Sequence, residues 1–132
     1  MEHLEGVVRV LVVDDQALFR RAVTAVVAES GRFDVVGQVD TGEAGVAAVS
    51  AVRPDLVLMD VNLPGIDGLE ATRRVRASVP AQVVLLLSTY DEELGMDYVA
   101  DCGAAAYLSK ASFGPEALEQ AWARATARSQ DR

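Results

Sequence analysis

A single cysteine, Cys102, leaves no partner for an internal disulfide and no second thiolate for a metal cluster, which excludes a disulfide-stapled scaffold and a cysteine-ligated zinc site. A small apolar residue near the end of a helix is the ordinary role of such a free cysteine. Aromatic residues make up only 5% of the chain while 51% is hydrophobic, so the core is expected to be aliphatic, with β-branched strands and Ala-rich helices. No apolar run approaches the ~18 residues that suggest a membrane span. Met1, Glu2 and His3 do not open a positively charged leader, and a soluble, cytoplasmic protein with no membrane partner is expected. Positive charge is scarce as well: the net charge of −8 excludes the clustered Lys and Arg that neutralise nucleic-acid phosphates, so no direct nucleic-acid binding is expected.

What is present is a regular alternation. The 132 residues suit one domain, 1–132, with one core. Val7 to Val13 reads as a strand buried on both faces and ends at Asp14-Asp15. Leu18, Ala22, Val23, Val26 and Val27 recur at helical spacing between Ala17 and Ser30, and Gly31 is a stop signal. A second strand over Phe33 to Val39 and a second helix over Gly42 to Val52 repeat the period, closed by Arg53-Pro54. Asp55 to Asp60 is a third strand, Asn62-Leu63-Pro64-Gly65 a loop, and Asp67 a cap for the helix carrying Leu69, Thr72, Val75 and Arg76. Gln82 to Ser88 is the fourth strand and Asp91 to Cys102 a weaker helix, since Gly95 costs about 0.8–1.0 kcal/mol relative to Ala in an exposed helix interior. Ala105 to Ser109 is the fifth strand. Pro115 to Arg128 is the last helix, with Leu118, Ala121, Trp122 and Ala125 as its apolar stripe and Trp122 in the core.

Five strand–helix units in alternation predict a doubly wound, flavodoxin-like α/β sandwich, a five-stranded parallel sheet of order 2-1-3-4-5. Its ligand site lies at the carboxyl ends of strands one and three, where the winding reverses. Asp14-Asp15, Asp60, Ser88-Thr89 and Ser109-Lys110 end four successive strands on that edge. Three converging carboxylates repel one another unless a cation sits among them, and an all-oxygen donor set suits Mg²⁺ or Mn²⁺, with a coordination place left for a phosphate. Taken singly, each residue has a plainer role: Asp14-Asp15 as a helix cap, Ser88 as a strand end, Lys110 as a solvated charge.

The segments VLVVDDQALFR, LVLMDVNLPGIDG, VVLLLSTYDEE and AAAYLSK, in that order and covering Val7 to about Arg128, resemble the receiver domains of two-component response regulators. QALFR after the acidic pair, and Ala111 after Lys110, look most like the NarL/LuxR (FixJ-related) branch. The resemblance implies Asp60 as phosphoacceptor, with a sensor histidine kinase as phosphodonor. It also implies Mg²⁺ (or Mn²⁺) held by Asp15, Asp60 and the backbone carbonyl of Asn62, with Asp14 acting on the metal through water. Lys110 would pair with Asp60 and then with a phosphoryl oxygen, and the Ser88 hydroxyl with another. Ser88 and Tyr107 would form a switch in which Tyr107 turns inward on phosphorylation and reshapes the face of helix 4, strand 5 and helix 5. A signalling domain is implied rather than an enzyme, with self-catalysed phosphorylation and hydrolysis only, possible homodimerisation, and a LuxR-type DNA-binding output domain absent from this chain. His3 is expected to be tail, the phosphohistidine coming from the kinase.

Ala111 departs from the proline common after this lysine in other branches, so no cis-proline is expected and the loop Ala111 to Gly114 is expected to be mobile. Asn62 and Tyr90 occupy positions that tune dephosphorylation in the family. A degenerate binding module would lack one of the five key residues. A flavodoxin-type cofactor domain would carry a Gly-rich loop where Asp14-Asp15-Gln16 stands, and an aspartyl phosphatase would need a general acid at Asn62.

Overall fold

The computed structural model describes residues 7–89 and 92–130; His3, Tyr90 and Asp91 lie outside the described residues. Its elements run β1 (Val8–Val13), α1 (Ala17–Ser30), β2 (Phe33–Val39), α2 (Gly42–Val52), β3 (Leu56–Asp60), α3 (Gly68–Ser78), β4 (Val83–Ser88), α4 (Glu92–Cys102), β5 (Ala106–Ser109), a 3-10 turn over Lys110–Ser112, and α5 (Pro115–Gln130). All strand pairs are parallel, and the order is β2-β1-β3-β4-β5, as the alternation predicts.

The strands are apolar on both faces because helices cover both. Period-two alternation sends Leu11, Val13, Val57, Met59, Val84 and Leu86 into a core with Val49 of α2 and Ala71 and Val75 of α3. Their neighbours Val10, Val12, Leu56, Leu58, Leu85 and Leu87 enter a second core with Val23 and Val27 of α1 and Leu118 of α5. Trp122 packs on this second core, edge-on to Phe33 with ring centroids 6.5 Å apart. Cys102 is buried as the last residue of α4, and burial pushes its thiol pKa upward. Asp67 caps α3, its Oδ1 accepting from the Glu70 N–H at 2.8 Å.

Two expectations about helices are corrected. The inward stripe of α1 is Phe19, Val23 and Val27; Leu18 is 77% exposed and Ala22 faces out, because the helix is phased by Phe19, which packs on the second core. Gly95 is not an exposed helix-weakener. It is buried against β5, where a Cβ would overlap the ring of Tyr107, so the absence of a side chain is what lets α4 lie so close.

Candidate functional site

The sheet register builds the site. Val13 pairs with Met59, so Asp14 and Asp60 follow side by side at the ends of β1 and β3. Asp60 pairs with Leu87, and Ser88 with Ser109, which brings Ser88 and Lys110 to the same edge. Behind Asp60, the start of α3 presses on the strand: the Gly68 N–H donates to the Val61 carbonyl at 2.8 Å, and a Cβ on Gly68 would overlap the Asp60 carbonyl oxygen. Only glycine fits there.

Asp14 and Asp60 are built alike. Each uses Oδ1 to accept the backbone N–H two residues on, from Gln16 at 2.8 Å and from Asn62 at 3.2 Å, and each turns Oδ2 toward Lys110. Asp14 is wholly buried and Asp60 is 3% exposed, while Asp15 is exposed. The acidic pair is therefore not the cap of α1, whose N-cap position is Gln16 without a side-chain capping bond.

The Lys110 ammonium sits 2.8 Å from Asp14 Oδ2, 2.8 Å from Gln16 Oε1 and 3.4 Å from Asp60 Oδ2. Its closest partners are thus Asp14 and Gln16, with Asp60 third. Below it lies the Phe19 ring, 4.5 Å from ammonium to centroid, and Phe19 in turn meets Phe113 edge-on at 5.9 Å. The segment after Lys110 makes local contacts of its own. It forms a 3-10 turn, Ser109 Oγ accepts from the Ala111 N–H at 3.1 Å, and Phe113 is anchored on α1; no cis peptide occurs among the described residues.

Electrostatics mark a shortage of positive charge. The Asp60 carboxyl is pushed up to about 6, first by burial and then by the Asp14 charge, against the lowering effect of Lys110 and the Asn62 N–H. Asp14 Oδ2 is sealed from solvent and, although beside the ammonium, has no well-directed donor. Carboxylate oxygens of Asp14, Asp15 and Asp60 all lie within 4.8 Å of one another, and Lys110 pairs with two of them, Asp14 and Asp60. These hard oxygen donors fit a divalent cation of the Mg²⁺ or Mn²⁺ type. A cavity of about 190 Å³, lined by Asp15, Gln16, Asp60, Asn62, Ser88, Thr89 and Lys110, opens in front of them. Asp14 lies behind its wall.

Ser88 is buried at the end of β4, and its backbone carbonyl accepts from the Tyr107 hydroxyl at 3.1 Å. Tyr107 is only 7% exposed, and its ring lies against the space that Gly95 leaves. The structure brings together Asp14, Asp15, Asp60, Asn62, Ser88 and Lys110, and links Tyr107 to Ser88 from the far side. Sequence reasoning assigned no role to Gln16, Phe19 or Phe113. Their available signals were Gln16's place directly after the acidic pair and an aromatic three residues after the lysine.

Residues 10–123 match the family described as the response regulator receiver domain. The chain is 42% identical over 103 residues to the response regulator GacA of Pseudomonas viridiflava, covering 78% of this chain and 48% of that protein. It is 38% identical over 106 residues to the transcriptional regulatory protein DegU of Brevibacillus brevis, 80% of this chain and 45% of that one. The chain thus spans about half the length of these relatives. Among solved structures, the signal receiver domain of NarL from Mycobacterium tuberculosis superposes with a TM-score of 0.82 at 36% identity, covering 90% of this chain and 96% of that one.

Proposed function

The chain belongs to the response regulator receiver domain family, in its NarL/LuxR branch, and from that premise we propose that Asp60 accepts a phosphoryl group from a sensor histidine kinase. The observation that carries this reading is the placement of Asp60: nearly sealed, at the floor of a polar cavity, with an ammonium 3.4 Å from one oxygen and two further carboxylates beside it.

In the proposed reaction a carboxylate oxygen of Asp60 forms a bond to phosphorus, the phosphorus–nitrogen bond of the phosphohistidine breaks, and its electron pair leaves with the ring nitrogen. Asp15, Asp60 and the Asn62 carbonyl would hold Mg²⁺ or Mn²⁺, with Asp14 acting through water; the cation supplies neutralisation of the charge gathering on the phosphoryl oxygens. Lys110 donates a hydrogen bond to one phosphoryl oxygen and keeps its proton. The Ser88 hydroxyl donates to another. Because the Ser88 carbonyl is tied to the Tyr107 hydroxyl, a shift of Ser88 toward the phosphoryl group passes to β5 and the adjoining face of α4 and α5. The domain acts as a cytoplasmic signalling module rather than an enzyme on other substrates. The relatives' names, a response regulator and a transcriptional regulatory protein, support a DNA-binding output of LuxR type in a longer protein; homodimerisation on phosphorylation is part of the same proposal.

The test is intact-mass spectrometry after incubation with Mg²⁺ and phosphoramidate. Wild type is expected to gain one phosphoryl group and Asp60→Asn none; labelling that persists in the variant places the acceptor elsewhere.

A further inference from the structure

Resting on that phosphoacceptor reading, we propose that Gln16 is a positioning residue: it holds the Lys110 ammonium next to Asp60 while keeping it from closing on the oxygen that must attack. Lys110 is the only lysine in the chain, and its ammonium offers three N–H donors on a flexible four-carbon stem. Nothing in such a stem fixes where the charge rests. With two buried carboxylates in reach, the ammonium would settle between them at short distance from both. It does not. The Asp14 and Gln16 contacts are at 2.8 Å and the Asp60 contact is drawn out to 3.4 Å, beyond the usual hydrogen-bond range of about 2.7–3.2 Å.

Gln16 is placed to do this by the backbone around it. Its N–H donates to Asp14 Oδ1 at 2.8 Å and its carbonyl accepts the Arg20 N–H at 3.0 Å, so its stem leaves α1 from a fixed point although the residue itself is exposed. Phe19, one turn on, forms the seat under the ammonium, and Phe113 braces that seat from the segment following Lys110. Gln16 Oε1, Asp14 Oδ2 and the Phe19 face thus locate the charge from three sides. An amide oxygen is suited to this because it is neutral: it orients the ammonium without adding a fourth carboxylate to an already acidic cavity. The consequence is chemical. A close Lys110–Asp60 hydrogen bond would draw electron density from the oxygen that attacks phosphorus, whereas the long bond at 3.4 Å weakens that pull and keeps the ammonium within reach of the charge that develops during transfer.

Selective ¹³Cε/¹⁵Nζ-lysine labelling gives one side-chain signal in this protein, that of Lys110. Wild type, Gln16→Ala and Gln16→Glu are compared with and without Mg²⁺, alongside the rate of phosphoryl uptake from phosphoramidate. In Gln16→Ala the lysine signal is expected to move, and the maximal rate to fall about five-fold, part of what one hydrogen bond from a charged donor is worth, with the half-saturating donor concentration little changed. Gln16→Glu keeps an acceptor oxygen at the same reach but adds a fourth carboxylate, so it is expected to return the lysine signal toward the wild-type position without restoring the full rate. Backbone amide spectra establish that each variant is folded. An unmoved lysine signal in Gln16→Ala overturns the proposal, and so does a moved signal with an unchanged rate. A wild type that takes up no phosphoryl group removes the phosphoacceptor reading and this inference together; a reactive wild type with an equally reactive Gln16→Ala removes this inference alone.

Discussion

As the proposed phosphoacceptor, Asp60 would have to be shielded from water for its product to last and ionised for it to attack, and these two demands oppose each other. Burial and the Asp14 charge raise its pKa from 3.8 to about 6, so the native state binds this proton more tightly than the unfolded chain does. The sign follows from linkage: ionising Asp60 costs the fold stability, in full above the folded value near 6, less as the pH falls through it, and not at all below the unfolded value. Asp60→Asn removes the charge and keeps the shape. It is expected to stabilise the metal-free domain by about 1–3 kcal/mol near pH 8 and by almost nothing near pH 4. Urea denaturation at the two pH values checks this, and an equal gain at both would mean that burial of the charge is not the cause. The same tension explains why residues at the site are strained in charge rather than in backbone: the one non-glycine residue with positive φ among those described is Arg53, at the opposite end of the sheet.

At the scale of elements, α4 and β5 form the pair whose packing the sequence conceals. A glycine inside a helical pattern reads as a weak point, and in an exposed helix interior Gly→Ala would gain about 1 kcal/mol. Here a Cβ on Gly95 would overlap the Tyr107 ring, and Tyr107 is tied through its hydroxyl to the Ser88 carbonyl at 3.1 Å. Gly95→Ala is therefore expected to destabilise the domain by about 1–3 kcal/mol, the usual cost of overpacking, and to shift the Tyr107 ring signals. Chemical denaturation that shows a stabilised variant would refute the close approach. The contrast shows what a sequence can reveal. Alternation of strand and helix, and acidic or basic residues at strand ends, are one-dimensional patterns, so the strand order and the convergence of Asp14, Asp60, Ser88 and Lys110 were legible. Which helix face turns inward depends on a partner far away in the chain. Leu18 was counted in the apolar spacing of α1 and Phe19 was not, because the Phe113 that meets Phe19 lies 94 residues on and carries no periodic signal. Gln16 was hidden for the same reason, its partner being Lys110 across the sheet edge.

For the whole molecule, charge is the governing feature. A net charge of −8 on 132 residues means that any cation relieves self-repulsion to some degree, so stabilisation by added salt is no proof of a site. The cluster of Asp14, Asp15 and Asp60 makes a narrower claim: its oxygens converge within 4.8 Å, and the Asp60 carboxyl is pushed up to about 6 by burial and by the neighbouring Asp14 charge. General screening depends on ionic strength alone, whereas occupancy of a site depends on the identity of the ion and on the ligands. Thermal melts in MgCl₂ and in NaCl of matched ionic strength separate the two. At ten times its dissociation constant a bound ion adds about 1.4 kcal/mol, or roughly 3–8 °C in Tm for a domain of this size, above the salt effect. That increment is expected in wild type near pH 8 and is expected to shrink below pH 6, where Asp60 takes up its proton in competition with the cation. Asp15→Asn should lose the Mg²⁺ increment and keep the NaCl response, because Asp15 is exposed and, as a proposed ligand, would serve the ion without supporting the core. If MgCl₂ and NaCl raise the wild-type Tm equally, the three carboxylates are an acidic cluster and not a metal centre, and the charge balance of the proposed phosphoryl transfer would rest on Lys110 alone.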